Sequence, residues 1–153
     1  MLVASVGLQD TVVIADKDAV LIADKDHVDD AKEIVKHLKV SGKSEWENHR
    51  EVHRPWGKYE SLIMAPGYQV KVISVNPGAK LSLQKHEHRC EHWIVVAGVA
   101  RVTKGEDVFS LYTNESVYLP KGTVHSLEND QESVLKIIEI QTGDYLGEDD
   151  IIR

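Results

Sequence analysis

Two short apolar stretches near the N-terminus, residues 11–15 and 19–23, are rich in Val, Ile and Ala and predict a pair of strands. The next stretch changes period. Val28, Ala31, Ile34, Val35 and Leu38 recur at helical spacing, and Asp26 can cap the start of that helix. The string IADKD occurs twice, at 14–18 and 22–26, and is too short for a structural repeat; both copies read as strand-end turns. Residues 41–53, SGKSEWENHREVH, hold no stable apolar period and read as a linker. From Arg54 onward the pattern is one of short strands cut by turns at Pro66-Gly67, Pro77-Gly78, Lys104-Gly105-Glu106 and Pro120-Lys121-Gly122. The strands are expected over 69–75, 80–88, 93–96, 99–103, 116–119 and 134–140. Such spacing predicts a small barrel or sandwich. The chain therefore divides into an N-terminal α/β segment (1–40), a linker (41–53) and a β domain (54–153).

Composition narrows the function. The 153 residues have enough apolar content for one core and little room for a second. A formal charge of -7 with no basic run excludes nucleic acid as an expected partner, although a few local cations can still hold one sugar phosphate. Cys90 is the single cysteine, so no disulfide forms within the chain, and a cytoplasmic setting is expected. No apolar run approaches the ~20 residues of a membrane span, and the N-terminus lacks the order of a signal peptide.

The candidate chemistry lies between Gly78 and Asn129. Half of the eight histidines fall between 86 and 125. On a strand over 80–88, His86 and His88 point to one face, ~7 Å apart, and can reach one ion. Glu91 has the wrong parity for a straight continuation, but a turn or bulge at Arg89 and Cys90 re-aims it. His125 comes from a separate hairpin set by the Pro-Lys-Gly turn. Three imidazoles and a carboxylate suit Zn, Fe, Mn, Ni or Co with positions left open for substrate. The plain alternative is a set of scattered surface histidines.

Pro120, Gly122, His125 and Asn129 match the pattern PxGxxHxxxN, and together with the His86–Gly98 segment they resemble the two signature motifs of the cupin superfamily. The first motif departs from the usual one, because only two residues separate His88 from Glu91. His92 is thus a rival fourth ligand, and Glu91 is preferred for its six-residue interval to Gly98. A closer resemblance covers most of the chain: RPWGKYE (54–60), SLQKHEHRCEHWIVVAG (82–98), YLPKGTVHSLEN (118–129) and IEIQTGDYLGEDDIIR (138–153) look like type II phosphomannose isomerase. That family is the cupin C-terminal part of bacterial bifunctional mannose-6-phosphate isomerase / mannose-1-phosphate guanylyltransferase. The opening region is similar to the tail of its nucleotidyltransferase half.

The resemblance implies a mainly β, cupin-type double-stranded β-helix (jelly-roll barrel) at 54–153, behind the short N-terminal α/β segment. It implies a divalent metal, Zn first with Mn, Fe, Ni or Co as alternatives, held by His86, His88, Glu91 and His125. The implied reaction interconverts mannose 6-phosphate and fructose 6-phosphate by proton transfer through a cis-enediol, in GDP-mannose and polysaccharide precursor synthesis. Strand alternation adds Lys80 and Gln84 as candidates for proton transfer and sugar contact, with His92 as the alternative base. An exposed strand-edge lysine is the plain reading of Lys80. Arg54 and Arg89 are the candidates for the substrate phosphate, since a guanidinium matches phosphate oxygens at two points. Trp56, Tyr59 and Trp93 read as packing. A homodimer through exposed edge strands is expected. No GxGTRLxPLS loop occurs, so guanylyltransferase activity is not expected of this chain, which is either a short stand-alone form or a piece of the longer protein. Competing readings are a non-catalytic sugar-phosphate-binding or assembly module, and an iron dioxygenase.

Overall fold

Burial alternates residue by residue along the long strands of the second half of the chain, and that alternation places the site. The computed structural model describes residues 2–16, 19–41 and 50–153. Most of the expected linker (42–49) and the Lys17-Asp18 turn of the first IADKD lie outside the described residues, and the last three residues of that expected linker, 51–53, are strand instead, paired antiparallel with 58–60. Two units are present, Met1–Arg50 and Glu51–Arg153.

In the first unit, strands β1 (Thr11–Ala15) and β2 (Val20–Asp24) pair antiparallel, with Thr11 opposite Asp24. A 3-10 turn (Lys25–Asp30) leads into helix α1 (Ala31–Val40). Asp24 caps the 3-10 turn, its carboxylate accepting from the Asp26 amide at 2.8 Å, while α1 begins after Asp30, which makes no side-chain cap bond; the expected cap by Asp26 is not formed, because the turn takes up the residues that follow it.

The second unit begins with β3 (Glu51–Arg54), β4 (Gly57–Ala65) and β5 (Tyr68–Val75). It continues with β6 (Arg89–Ala97), β7 (Ala100–Lys104) and β8 (Asp107–Leu111). Strands β9 (Ser116–Leu119), β10 (His125–Glu128) and β11 (Leu135–Gly143) complete it. They form an antiparallel six-stranded sheet, β3-β4-β5-β11-β6-β9, and a three-stranded sheet, β10-β7-β8. Ile73, Val75, Trp93, Val95, Leu135 and Ile137 of the larger sheet share one core with Val102, Leu111 and Leu127 of the smaller. Each such burial is worth about 1.5–3 kcal/mol of transfer free energy.

Register splits the inner face of the large sheet in two. Val75, Leu135, Ile73, Ile137 and Val95 line up across β5, β11 and β6 as its apolar end. Further along the same strands, Lys71, Glu139 and Trp93 form one row and Gln69, Gln141 and Glu91 the next. All six are buried, so the polar end of the barrel interior must satisfy its groups internally.

The expected strand over 80–88 is not formed. This segment makes only isolated bridges, Lys80 with Glu128, Gln84 with His125 and Lys85 with Ile152. Its partner changes from β10 to the C-terminal segment between Gln84 and Lys85, so no two-residue alternation is sustained. Asn129 ties the neighbouring ends together: its Nδ2 donates to the carbonyls of Val75, Asn76 and Ser133 at 2.9, 3.1 and 2.8 Å.

Candidate metal centre

His86, Glu91 and His125 are buried together, with one ligand atom from each within 4.8 Å of the others. They come from three places: the irregular segment before β6, β6 itself, and the first residue of β10. His86 donates Nδ1–H to the carbonyl of Asp150 at 3.2 Å, and His125 donates Nδ1–H to the carbonyl of Thr123 at 2.8 Å. Both Nε2 atoms are thereby left as lone pairs, buried and without a hydrogen-bond partner. They stand 3.1 and 3.6 Å from the two oxygens of Glu91. A shared proton could serve one of these imidazoles; a divalent cation serves both, and the donor set suits Zn or a similar ion.

The surroundings hold the carboxylate ionised. Without an ion, burial alone would raise the Glu91 carboxyl, but a proton taken up on His86 Nε2 and shared with it, together with the charges of His86, His125 and Arg89, outweighs burial and holds it at about 2. Arg89 Nε, Trp93 Nε1 and Gln141 Nε2 donate to it at 3.2, 3.0 and 3.2 Å. Burial pushes the His125 imidazole down, which favours its neutral, ligating form. Glu139 is pushed up to about 8, first by burial and then by the charge of Glu91; it accepts from Trp93 at 3.1 Å and Gln141 at 2.8 Å.

His88 is not brought to this cluster. Its side chain is half exposed, with Nδ1 at 2.8 Å from Asp150 Oδ1 and its ring edge-on to Tyr145. The expectation of a shared face with His86 fails because 86–88 is not strand: the Asp150 carboxylate accepts from the amides of Glu87 and His88 and turns the loop. Glu91, by contrast, points inward because β6 starts at Arg89 and resets the parity.

A cavity of about 100 Å³ opens beside Glu91, and Gln84, Arg54 and Arg89 line it. Arg89 is buried, with Nη1 donating to the Gly147 carbonyl at 2.8 Å in addition to its bond with Glu91. Lys80 and His92 do not line it. Lys80 is exposed and lies 3.6 Å from Glu128, the plain arrangement, because its segment bridges β10 there. His92 has outward parity on β6 and meets Ser116 Oγ at 3.1 Å. The cavity wall also carries Lys71, Glu139, Gln141, Glu148 and Arg153, none of which the sequence reading singled out. The signal was present for three of them: Lys71 shares parity with Ile73 and Val75, and Glu139 and Gln141 share parity with Ile137.

Residues 41–153 match the family model for the mannose-6-phosphate isomerase C-terminal domain, and residues 1–38 match that for a MannoseP isomerase/GMP-like beta-helix domain. The chain is 52% identical over 152 residues to the xanthan biosynthesis protein XanB of Xanthomonas campestris pv. campestris. It is 55% identical to the alginate biosynthesis protein AlgA of Pseudomonas aeruginosa and 52% identical to a mannose-1-phosphate guanylyltransferase of Escherichia coli K12. The XanB match covers 99% of this chain and 32% of the relative, so the chain spans about a third of the length of these relatives. Among solved structures, KdgF from Halomonas sp. superposes with a TM-score of 0.60 at 18% identity, covering 66% of this chain and 90% of that one. The Cnp3 cupin domain of Schizosaccharomyces pombe superposes at 0.55 and 19% identity, covering 57% and 64%. The fold is the cupin double-stranded β-helix expected from the motifs.

Proposed function

The chain belongs to the family of mannose-6-phosphate isomerase C-terminal domains, and on that footing we propose that it interconverts mannose 6-phosphate and fructose 6-phosphate with a divalent metal. In this reading it is the isomerase part of a bifunctional protein that supplies GDP-mannose and polysaccharide precursors. The observation that carries the metal dependence is the pair of buried imidazole Nε2 lone pairs facing an ionised carboxylate.

His86, Glu91 and His125 would hold the ion, Zn first with Mn, Fe, Ni or Co as alternatives. Bound there, it supplies a Lewis acid beside the sugar carbonyl. Gln84 and Gln141 line the cavity and offer hydrogen bonds to sugar hydroxyls; Gln141 is held by its Nε2 bonds to Glu91 and Glu139, which leaves Oε1 as a buried acceptor without a partner. The proton moved between C1 and C2 is assigned to the titratable groups on the cavity wall, Lys71, Glu139 and Glu148, rather than to Lys80 or His92. No helix among the described residues is long and apolar enough to cross a membrane, and the reading places the reaction in the cytoplasm. A homodimer formed through the outer edges of β3 or β9 belongs to the same reading.

The test is direct. The chain is stripped with a chelator, reloaded with each metal, and assayed for fructose 6-phosphate formation from mannose 6-phosphate. Turnover that returns with metal supports the isomerase. Metal uptake without turnover under any loading favours instead a sugar-phosphate-binding or assembly module.

A further inference from the structure

The four cationic side chains on the cavity wall differ in what holds them. Arg89 is tied to Glu91 and to the Gly147 carbonyl. Lys71 is buried with Nζ 2.5 Å from Glu148 Oε1 and 4.7 Å from the centroid of the Tyr59 ring. The guanidinium of Arg54 lies 5.6 Å from the centroid of that same ring, with a single long contact of 3.5 Å to the His53 carbonyl. Arg153 donates Nε to Ser82 Oγ at 3.1 Å. Among the described residues, neither Arg54 nor Arg153 has a carboxylate partner, although the chain carries a net charge of -7. The wall also carries Glu91, Glu139 and Glu148, but Arg89 pairs with the first and Lys71 with the last, so the two unpaired guanidiniums are the groups that favour an incoming anion.

Sheet order sets the distance of this field from the imidazoles. Glu91 lies on β6, Lys71 two strands away on β5, and Tyr59 and Arg54 one and two strands further, on β4 and β3. At ~4.8 Å per strand, Lys71 is separated from Glu91 by roughly 10 Å of sheet and Tyr59 by roughly 14 Å. Arg153 lines the same cavity as Arg54, brought there by the paired bonds between Lys85 and Ile152, 2.9 and 3.0 Å, which fix the chain just before it. A ligand that reaches both ends is elongated, with an anion at one end and a polar, carbonyl-bearing group at the other.

We propose that Arg54 and Arg153 form the subsite for the phosphate monoester of the substrate, that Lys71 stiffens it through the shared Tyr59 ring, and that Arg89 positions Glu91 instead of touching phosphate. Only the identity of the sugar rests on the isomerase reading; the anion subsite does not.

The experiment measures inorganic phosphate binding to the metal-loaded chain by calorimetry, and mannose 6-phosphate kinetics beside it. Arg54→Gln and Arg153→Gln each weaken phosphate binding about tenfold or more, since each removes charged hydrogen bonds. Metal content and melting temperature stay at their starting values, KM for mannose 6-phosphate rises while kcat is retained, and the Arg→Lys variants recover part of the loss. Unchanged phosphate affinity and KM in both variants overturns the subsite, as does a wild-type chain that binds no phosphate. Phosphate binding that depends on both arginines in a chain without isomerase turnover sustains the subsite and removes the isomerase reading.

Discussion

His86 donates its Nδ1 hydrogen to the backbone carbonyl of Asp150, 64 positions along the chain, while the carboxylate of the same Asp150 caps the amides of Glu87 and His88. One residue thus fixes both the tautomer of a candidate ligand and the loop that carries it. Asp150→Ala is expected to lower metal affinity by about 10- to 100-fold, the usual range for residues that orient ligands. A chelator competition titration measures this, and an unchanged affinity would show that the loop is held without Asp150.

Removing a ligand has a larger effect. His125→Ala deletes one of the two buried Nε2 atoms and opens a gap against the Trp93 ring, whose centroid lies 5.4 Å away. Metal uptake and isomerase turnover are both expected to vanish. Full turnover of this variant in chelator-treated buffer contradicts the metal centre.

The metal-free protein should lose stability in two steps as pH falls. His125 is held below its ordinary value of 6.5 by burial, so the unfolded chain takes up that proton first and stability declines from about pH 6.5 downward until the folded-state pKa is passed. Glu91 is held at about 2 against an ordinary 4.5; its contribution is complete above 4.5 and disappears as pH falls toward 2. Thermal melts of the chelated protein across the acid range would display both declines. His125→Gln, which cannot titrate, should remove the first decline and move the second to higher pH, because the His125 charge is one of the groups that hold Glu91 down.

Gly143 faces Arg89 across the β11–β6 register, where an added Cβ would lie 2.2 Å from the His88 carbonyl oxygen and 2.9 Å from Arg89 Cα. Both contacts are backbone, so the loop itself would have to move. Gly143→Ala is expected to cost about 1–3 kcal/mol, the range for overpacking. Denaturant unfolding measures it, and the same variant should bind metal more weakly because His86 and Glu91 flank the displaced segment. A variant with wild-type stability would mean that this approach is looser than its distances.

The sequence makes five strands of the β domain legible, those over β5, β6, β7, β9 and β11, but not β3, β4, β8 or β10, although β4 pairs with β5 along most of its length. The apolar pattern over 116–119 coincides with β9, and those over 69–75 and 134–140 differ from β5 and β11 only at their ends. Residues 80–88 were misread because alternation is a property of sustained pairing, and here the partner changes between Gln84 and Lys85. That one local failure moved His88 out of the cluster and Lys80 out of the cavity, while His86, Glu91 and His125 still meet. Lys71, Glu139 and Gln141 escaped notice for a different reason. They sit at inward positions of otherwise apolar strands, where a polar residue reads as noise until neighbouring strands are aligned and the three fall into adjacent rows.

The loop that carries His86 is synthesised well before Gly147, Asp150 and Ile152, which hold it through Arg89, His86 and Lys85. Chains leave the ribosome N-terminus first. The His86 imidazole therefore emerges early but stays unfixed until Asp150 follows and its carbonyl sets the ring, whereas the neighbouring Thr123 carbonyl already holds His125. A chain cut before Asp150 would lack both the carbonyl that sets the His86 ring and the carboxylate that holds its loop.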